Sequence, residues 1–364
     1  MMSSRIRKIA VIAYELPSPK ERTGGVSHFN HRFCNMLSER GYDVTAFTVR
    51  PEVPGAEYRV KVIPGERAGG RLNRYYKAPL QARGLELGEY DLVVSSGDDW
   101  AMRRGRSPWI RIMHGSAWRE LQHNKRPLRK ANLALLYLLE LLSSLRADVT
   151  LFNSRDTRKL YPRRKKDRIV HLPVDTRVFY PIDSSEKMAD PPTLLFVGGL
   201  DSRKRGGWLL ELFVTRIRPA LPNARLWMVC DPGKPCEGVE YFQHASIEQL
   251  AELYRRANVF CMPSTYEGFG IPYLEAMASG TLVVTTPNPG AEELLEDGRY
   301  GWIVSDEELA DALIRALERP ESHAKWTEPA LEWARSHDWS VMLQQFLNEE
   351  PVIKNADSFA AKGG

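Results

Sequence analysis

Two carboxylates, Glu267 and Glu275, stand with seven residues between them and bracket a glycine-rich turn in the stretch PSTYEGFGIPYLEAMASG over 263–280. Gly268 and Gly270 allow close backbone approach, Pro272 suits the first position of a helix and Gly280 its C-terminal stop. A glycine-rich loop should therefore open directly onto a helix N-terminus. Free N–H groups and the positive end of the helix dipole at such a junction favour a phosphate. A carboxylate accepts hydrogen bonds from two adjacent hydroxyls, so one glutamate can hold a sugar and the other a ribose, with phosphates between them. The alternative is a loop acid and a surface helix residue. Glu275, however, falls between Leu274 and Met277 in a short apolar helix, which speaks for a buried carboxylate.

Groups of this kind need a frame of strands and helices. β-type runs at Lys8 to Ala13, Asp43 to Val49, Asp91 to Ser95, Trp109 to Met113 and Asp148 to Phe152 alternate with helical patterns, among them Val26, Phe29, Phe33, Met36 and Leu37 before Gly41. Periodicity is lost over 179–192, the expected interdomain linker. It then restarts with strands at Thr193 to Val197, Ala224 to Val229, Val259 to Met262 and Thr281 to Thr285. The intervening helices run from Trp208 to Ile217, after a capping pair Ser246 and Gln249, from Pro272 to Ser279 and from Glu307 to Leu317. Such alternation predicts two α/β units with mostly parallel sheets. The most hydrophobic run, Asn132 to Leu145, contains Glu140 and is too short to span a bilayer; it reads as a buried core helix, with a helix lying in a membrane surface as the alternative.

At 364 residues the chain exceeds what one core supports, and its 43% hydrophobic and 27% charged residues exclude disordered, collagenous and membrane-spanning classes. Cys34, Cys230, Cys236 and Cys261 lie too far apart for a zinc knuckle and are too few for a disulfide scaffold, so reduced thiols in a cytosol are expected. The apolar run Ile9 to Tyr14 is too short for a secretory signal. Charge is uneven: residues 1–185 hold 34 basic and 19 acidic side chains, residues 186–364 hold 17 and 27. The first half should meet something anionic, or else present a solvated basic surface. Its cluster Arg163, Arg164, Lys165, Lys166 and Arg168 lacks interleaved aromatics, so no nucleic-acid partner is expected.

The glutamate pair and its context resemble the retaining nucleotide-sugar glycosyltransferases of family 4, whose hallmark stands here as Ser264, Glu267, Gly268, Phe269, Gly270, Glu275, Ala276, Met277, Ala278 and Gly280. The resemblance implies the α/β fold named GT-B: two Rossmann-like domains facing across a cleft, with a C-terminal helix returning to the N-terminal domain. The expected boundaries are 1–180 for an acceptor-binding domain, 181–335 for a nucleotide-sugar-binding domain, and 336–364 for the returning helix and a disordered tail from Val352.

The same resemblance assigns Glu267 to the transferred sugar and Glu275 to the ribose hydroxyls, with the amides of Phe269, Gly270 and Ile271 on the sugar or diphosphate. The family's phosphate clamp G-R-L-x-x-x-K reads Gly198-Gly199-Leu200-Asp201-Ser202-Arg203-Lys204, so Lys204 is kept and Gly199 replaces the arginine. Arg203 or Arg205 could substitute for that cation. Gly24 and Gly25 match the family's glycine pair near the donor phosphate, and His114 its histidine near the donor sugar. Asp98, Trp100 and Trp118 are acceptor candidates. Asn153-Ser154, Pro173-Val174-Asp175 with Phe179, Glu293 and Trp339 are fold markers. Asp98-Asp99 lacks the D-x-D spacing of a metal site, so neither metal nor cofactor is expected, the nucleotide sugar being a substrate.

The implied reaction is retaining transfer of a hexose-type sugar from a UDP- or GDP-sugar to a carbohydrate, glycolipid or small-molecule hydroxyl, in the cytoplasm or at the inner face of the membrane. Peripheral membrane contact would run through the basic N-terminal domain. The competing readings are a non-catalytic nucleotide-sugar or glycan-binding protein, motivated by Gly199, and an epimerase or phosphorylase on the same fold.

Overall fold

A computed structural model describes residues 7–19, 24–49, 52–63, 72–97, 99–183 and 191–348. Asp98, the middle of the expected linker and the tail from Val352 lie outside the described residues. The chain divides into two units, one formed by Met1–Val170 with Leu343–Gly364 and the other by His171–Met342.

The first unit carries a seven-stranded sheet of order β3-β2-β1-β4-β5-β6-β7. The strands are β1 Lys8–Ile12, β2 Asp43–Thr48, β3 Arg59–Val62, β4 Leu92–Ser95, β5 Trp109–Met113, β6 Val149–Phe152 and β7 Arg168–Ile169, all parallel. The central strands β4, β5 and β6 are buried at every position, as a parallel sheet covered on both faces demands. Helices α1 Gly25–Glu39, α2 Ala78–Ala82, α3 Ala117–Gln122, α4 Pro127–Arg146 and α5 Arg155–Lys159 supply the cover. A π-helical turn, Asn73–Lys77, leads into α2.

In the second unit a six-stranded sheet repeats the plan, order β10-β9-β8-β11-β12-β13. Its strands are β8 Thr193–Val197, β9 Arg225–Val229, β10 Val239–Tyr241, β11 Val259–Cys261, β12 Leu282–Thr285 and β13 Trp302–Ile303. Its helices are α6 Gly206–Leu212, which continues through a π-helical turn at Phe213–Ile217, then α7 Ile247–Arg256, α8 Ile271–Ala278, α9 Pro289–Leu294, α10 Leu309–Glu318, α11 Ala324–Arg335 and α12 Trp339–Asn348. Both sheets are doubly wound, with the strand order reversing beside the first strand of each. Ligands of open α/β sheets bind outside the carboxyl ends of the strands at that reversal.

The division falls at Val170, ahead of the boundary expected at 180, because the chain after His171 is fastened to the second unit. Val174 N donates to His337 O at 3.0 Å, Thr176 Oγ1 donates to Asp338 Oδ2 at 2.7 Å, and Phe179 packs edge-on against Tyr254. At the other end, α12 starts in the second unit and belongs to the first from Leu343 onward, where Phe346 meets Phe33 edge-on at 5.0 Å.

The expectation of a buried core helix at 132–145 holds for one face of the helix and is overturned for the other. In α4 Leu133 and Leu136 are buried, but Leu135, Leu138, Leu142 and Leu145 are exposed. The run of leucines announces a helix without saying which of its faces finds a partner.

Candidate active site

In the second unit the loop after β8 and the loop after β11 lie side by side at the carboxyl ends of their strands. Gly198 clears the way for Lys204: a Cβ there would stand 2.3 Å from Lys204 Cδ. Lys204 Nζ donates to the Val197 carbonyl at 3.2 Å. Burial holds the Lys204 ammonium below the usual lysine range, against the pull of Glu267 and Glu275, so both carboxylates act on this one cation. The two loops are joined by Thr265 N donating to Arg203 O at 2.9 Å.

Glu267 is 5% exposed. Ser264 Oγ donates to its Oε1 at 3.1 Å, and Arg203 Nη2 donates to Oε2 at 3.3 Å while Arg203 Nε donates to the Tyr266 carbonyl at 2.9 Å. Behind the loop, Gly290 N donates to Glu267 O at 2.9 Å, and a Cβ on Gly290 would lie 2.5 Å from the Phe269 carbonyl oxygen. The Phe269 ring is buried and packs on His171 at 5.4 Å, so only the backbone of Phe269 is offered to a ligand.

Gly270 is the N-cap of α8, with φ 93°, and being glycine it offers no side chain to the N–H groups at the start of the helix. Pro272 occupies the second helical position rather than the expected first, since α8 begins at Ile271. One turn in, Glu275 accepts a hydrogen bond from Tyr254 Oη at 3.0 Å. Burial pushes the Glu275 carboxyl up to about 7, with the Tyr254 bond and the Lys204 charge opposing.

Arg203, Lys204, Glu267 and Glu275 thus converge on the start of α8. Arg205 turns elsewhere: both its terminal nitrogens donate to Asp306, and its guanidinium lies 4.2 Å from the Trp208 ring centre. Sequence reasoning did not single out Tyr254 or Asp306. Tyr254 reads as one more residue of an amphipathic helix, and Asp306 lies 101 positions from its partner, so neither leaves a local signal.

In the first unit, Gly24 is the N-cap of α1 and Gly25 its first residue, and an added Cβ at either would meet nothing within 4 Å. His114, just past β5, sits 2.6 Å from Ser96 Oγ through Nε2, while Phe29 of α1 lies edge-on to its ring at 4.9 Å. Its Nδ1 is buried with no hydrogen-bond partner among the described residues. Burial lowers the His114 pKa to about 4, so the ring is neutral at physiological pH.

Of the acceptor candidates, Trp100 is held by Nε1 donating to the Tyr75 carbonyl at 2.9 Å, and Trp118 is 37% exposed and packs on Tyr137. Asp98 lies outside the described residues. Its neighbour Asp99 is buried under Ser95 and Ser143 and paired with Arg111 at 3.1 Å, a structural ion pair. Ser154 caps α5 through Thr157 N at 3.1 Å, Asn153 Nδ2 donates to His114 O at 3.0 Å, and Glu293 lies 2.7 Å from His171 Nε2.

Comparison with known proteins places this geometry. Residues 23–178 match the model described as Glycosyltransferase Family 4, and residues 191–319 the one described as Glycosyl transferases group 1. A phosphatidyl-myo-inositol mannosyltransferase of Mycobacterium leprae is 23% identical over 97% of this chain and 98% of its own. A probable sucrose-phosphate synthase of Thermosipho melanesiensis is 29% identical over 52% of this chain; the chain spans about half the length of that relative, matching 48% of it. Among solved structures, sucrose-phosphate synthase from Thermosynechococcus elongatus superposes with a TM-score of 0.80 at 20% identity, covering 96% of this chain and all of its own. HepE of Anabaena, solved with UDP and glucose, gives a TM-score of 0.70 at 16% identity over 94% of this chain and 99% of its own. These structures carry the GT-B fold. The chain, a Glycosyltransferase Family 4 domain followed by a Glycosyl transferases group 1 domain, belongs to the family 4 glycosyltransferases.

Proposed function

We propose that this protein is a retaining, metal-independent glycosyltransferase that moves a hexose-type sugar from a UDP- or GDP-sugar to a hydroxyl acceptor, anionic or lipid-linked, at the cytoplasmic side of a membrane. One observation carries the proposal: Lys204 sits in the field of both Glu267 and Glu275 beside the uncapped start of α8. An anionic diphosphate would fit between those carboxylates, its charge met by Lys204, Arg203 and the N–H groups of Phe269, Gly270 and Ile271.

In this reading Glu275 accepts from the ribose hydroxyls and Glu267 from hydroxyls of the sugar. Gly24, Gly25 and neutral His114 of the first unit serve the donor's phosphate and sugar, and Trp100 and Trp118 the acceptor. The acceptor oxygen attacks the anomeric carbon on the face that the diphosphate leaves. The glycosidic bond forms, the carbon–oxygen bond to phosphate breaks, and the acceptor proton passes to the leaving phosphate. The names of the relatives support the chemical classes, a phosphatidyl-inositol acceptor in one and UDP with glucose in another.

The test is nucleotide release across a panel of UDP-, GDP- and dTDP-sugars without acceptor, beside Glu267→Ala. Release from one donor that vanishes in the variant is the expected result; release that survives Glu267→Ala counts against the assignment. A second reading, a nucleotide-sugar-binding protein without turnover, draws on Gly199 and on the engagement of Arg205 by Asp306. Saturable donor binding with neither hydrolysis nor transfer to any acceptor would favour it.

A further inference from the structure

Helix α4 displays an apolar stripe for which the described residues provide no cover. Leu128, Ala131, Leu135, Leu138, Leu142 and Leu145 recur at alternating spacings of three and four, which puts them on one face of a helix. The five leucines are 89%, 48%, 60%, 38% and 54% exposed, while Leu133 and Leu136 on the other face are buried. From Leu128 to Leu145 the stripe runs about 25 Å at the rise of an α-helix. A contiguous exposed apolar surface of that length marks an interaction site.

Charge selects the occupant. Lys125, Arg126 and Lys130 are exposed at the start of the helix and Arg146 at its end. The single carboxylate of α4, Glu140, is turned inward, where it accepts from Tyr161 Oη at 2.7 Å and from Ala117 N at 3.0 Å. A second copy of the helix laid against the stripe would set cation against cation in a parallel or an antiparallel pairing, with no carboxylate of α4 left to answer. A surface of anionic headgroups over hydrocarbon answers both parts: leucines enter the acyl boundary and the flanking cations meet the headgroups. Trp118, exposed beside Tyr137 of α4, suits the same headgroup level. No helix among the described residues is long and apolar enough to cross a membrane, so the contact is one of lying on the surface.

We infer that α4 docks the first unit onto an anionic phospholipid bilayer through this leucine stripe and its flanking cations. The inference uses no feature of the transfer reaction, so vesicle binding can fail while glycosyl transfer stands, and the reverse.

The experiment is co-sedimentation of the full chain with vesicles of phosphatidylcholine alone or mixed with phosphatidylglycerol. Binding to the mixed vesicles only, weakening as salt is raised, is the expected result. Leu135→Gln/Leu138→Gln/Leu142→Gln should bind more than about tenfold more weakly, since the acyl contact is lost. In a second variant, Lys125→Gln/Arg126→Gln/Lys130→Gln, the loss should be about fivefold for each cation removed. All six positions are on the surface, so both variants should melt like the parent. Failure to bind the anionic vesicles, unchanged binding by both variants, or a dimer in light scattering that the leucine variant abolishes would overturn the inference.

Discussion

Arg205 grips Asp306 with both terminal nitrogens, Nη1 to Oδ2 at 2.6 Å and Nη2 to Oδ1 at 2.7 Å, and its Nε donates to the Pro263 carbonyl at 2.5 Å. Hydrogen bonding from Arg205 holds the Asp306 carboxyl below its usual range, which marks a settled pair. This arginine joins the loops after β8 and β11 and is not free to meet a phosphate. Arg203 lies against Glu267, so Lys204 is the loop cation without an ion pair among the described residues.

Restoring the missing cation should therefore help. A Cβ at Gly199 would come no closer than 3.4 Å to Ser202 Cβ, an ordinary contact, so Gly199→Arg should fold normally. It should tighten UDP or GDP binding by about tenfold, the effect of one added charge-assisted hydrogen bond. Calorimetric titration decides it, and unchanged affinity would remove Gly199 from the phosphate clamp.

Glu275 should make the second unit sensitive to pH. Its carboxyl, near 7 when folded against 4.5 ordinarily, holds its proton more tightly in the folded state. Stability from this group is present below about 4.5 and lost as pH rises through 7. Glu275→Gln should accordingly raise stability at pH 8 relative to pH 4.5, by at most about 3 kcal/mol. If Glu275 holds the ribose as proposed, nucleotide affinity should rise through pH 7 in the parent, where the ionised form would accept both hydroxyls, and lose that rise in the variant. Melting and titration series over this window would show both.

His114 works in the opposite sense in the first unit. Its pKa near 4 lies below the ordinary 6.5, so the unfolded chain takes up a proton that the folded ring refuses. The resulting stability is complete above about 6.5 and lost as pH falls toward 4. His114→Asn should flatten that acid limb, and it should also depress turnover if the neutral ring meets the donor. A parallel acid limb in the variant would contradict the burial of this imidazole.

Gly290 touches no substrate in the proposed reading, yet Gly290→Ala should depress turnover more than about tenfold. Its methyl group would collide with the Phe269 carbonyl and shift the loop that carries Glu267. Steady-state kinetics should show the loss beside a modest change in melting temperature. Full activity would mean that the loop yields freely.

Much of the frame was legible. The β5 and β8 strands fall at Trp109–Met113 and Thr193–Val197, where apolar runs between turn residues announce them, and the glutamate pair declares its helix start. The edge strands β3, β7, β10 and β13 escaped because they are only two to four residues long, too short to show a period. A strand paired on one side alone needs little hydrophobic signal. Tyr254 and Asp306 escaped for another reason: each acquires its role from a partner far along the chain, Glu275 in one case and Arg205 in the other. The α4 leucines were visible as a period, but a period does not say whether a face is covered.

The assignment of Leu343 onward to the first unit bears on biogenesis. Phe33 is 1% exposed with Phe346 edge-on against it, and Leu343 is fully buried. A nascent chain that has released only its first 170 residues from the ribosome lacks those side chains, so the earlier-made half must wait for the last-made helix to finish its core. Cutting the gene at that point would give a fragment with an open apolar seam, one that aggregates unless the closing helix is supplied.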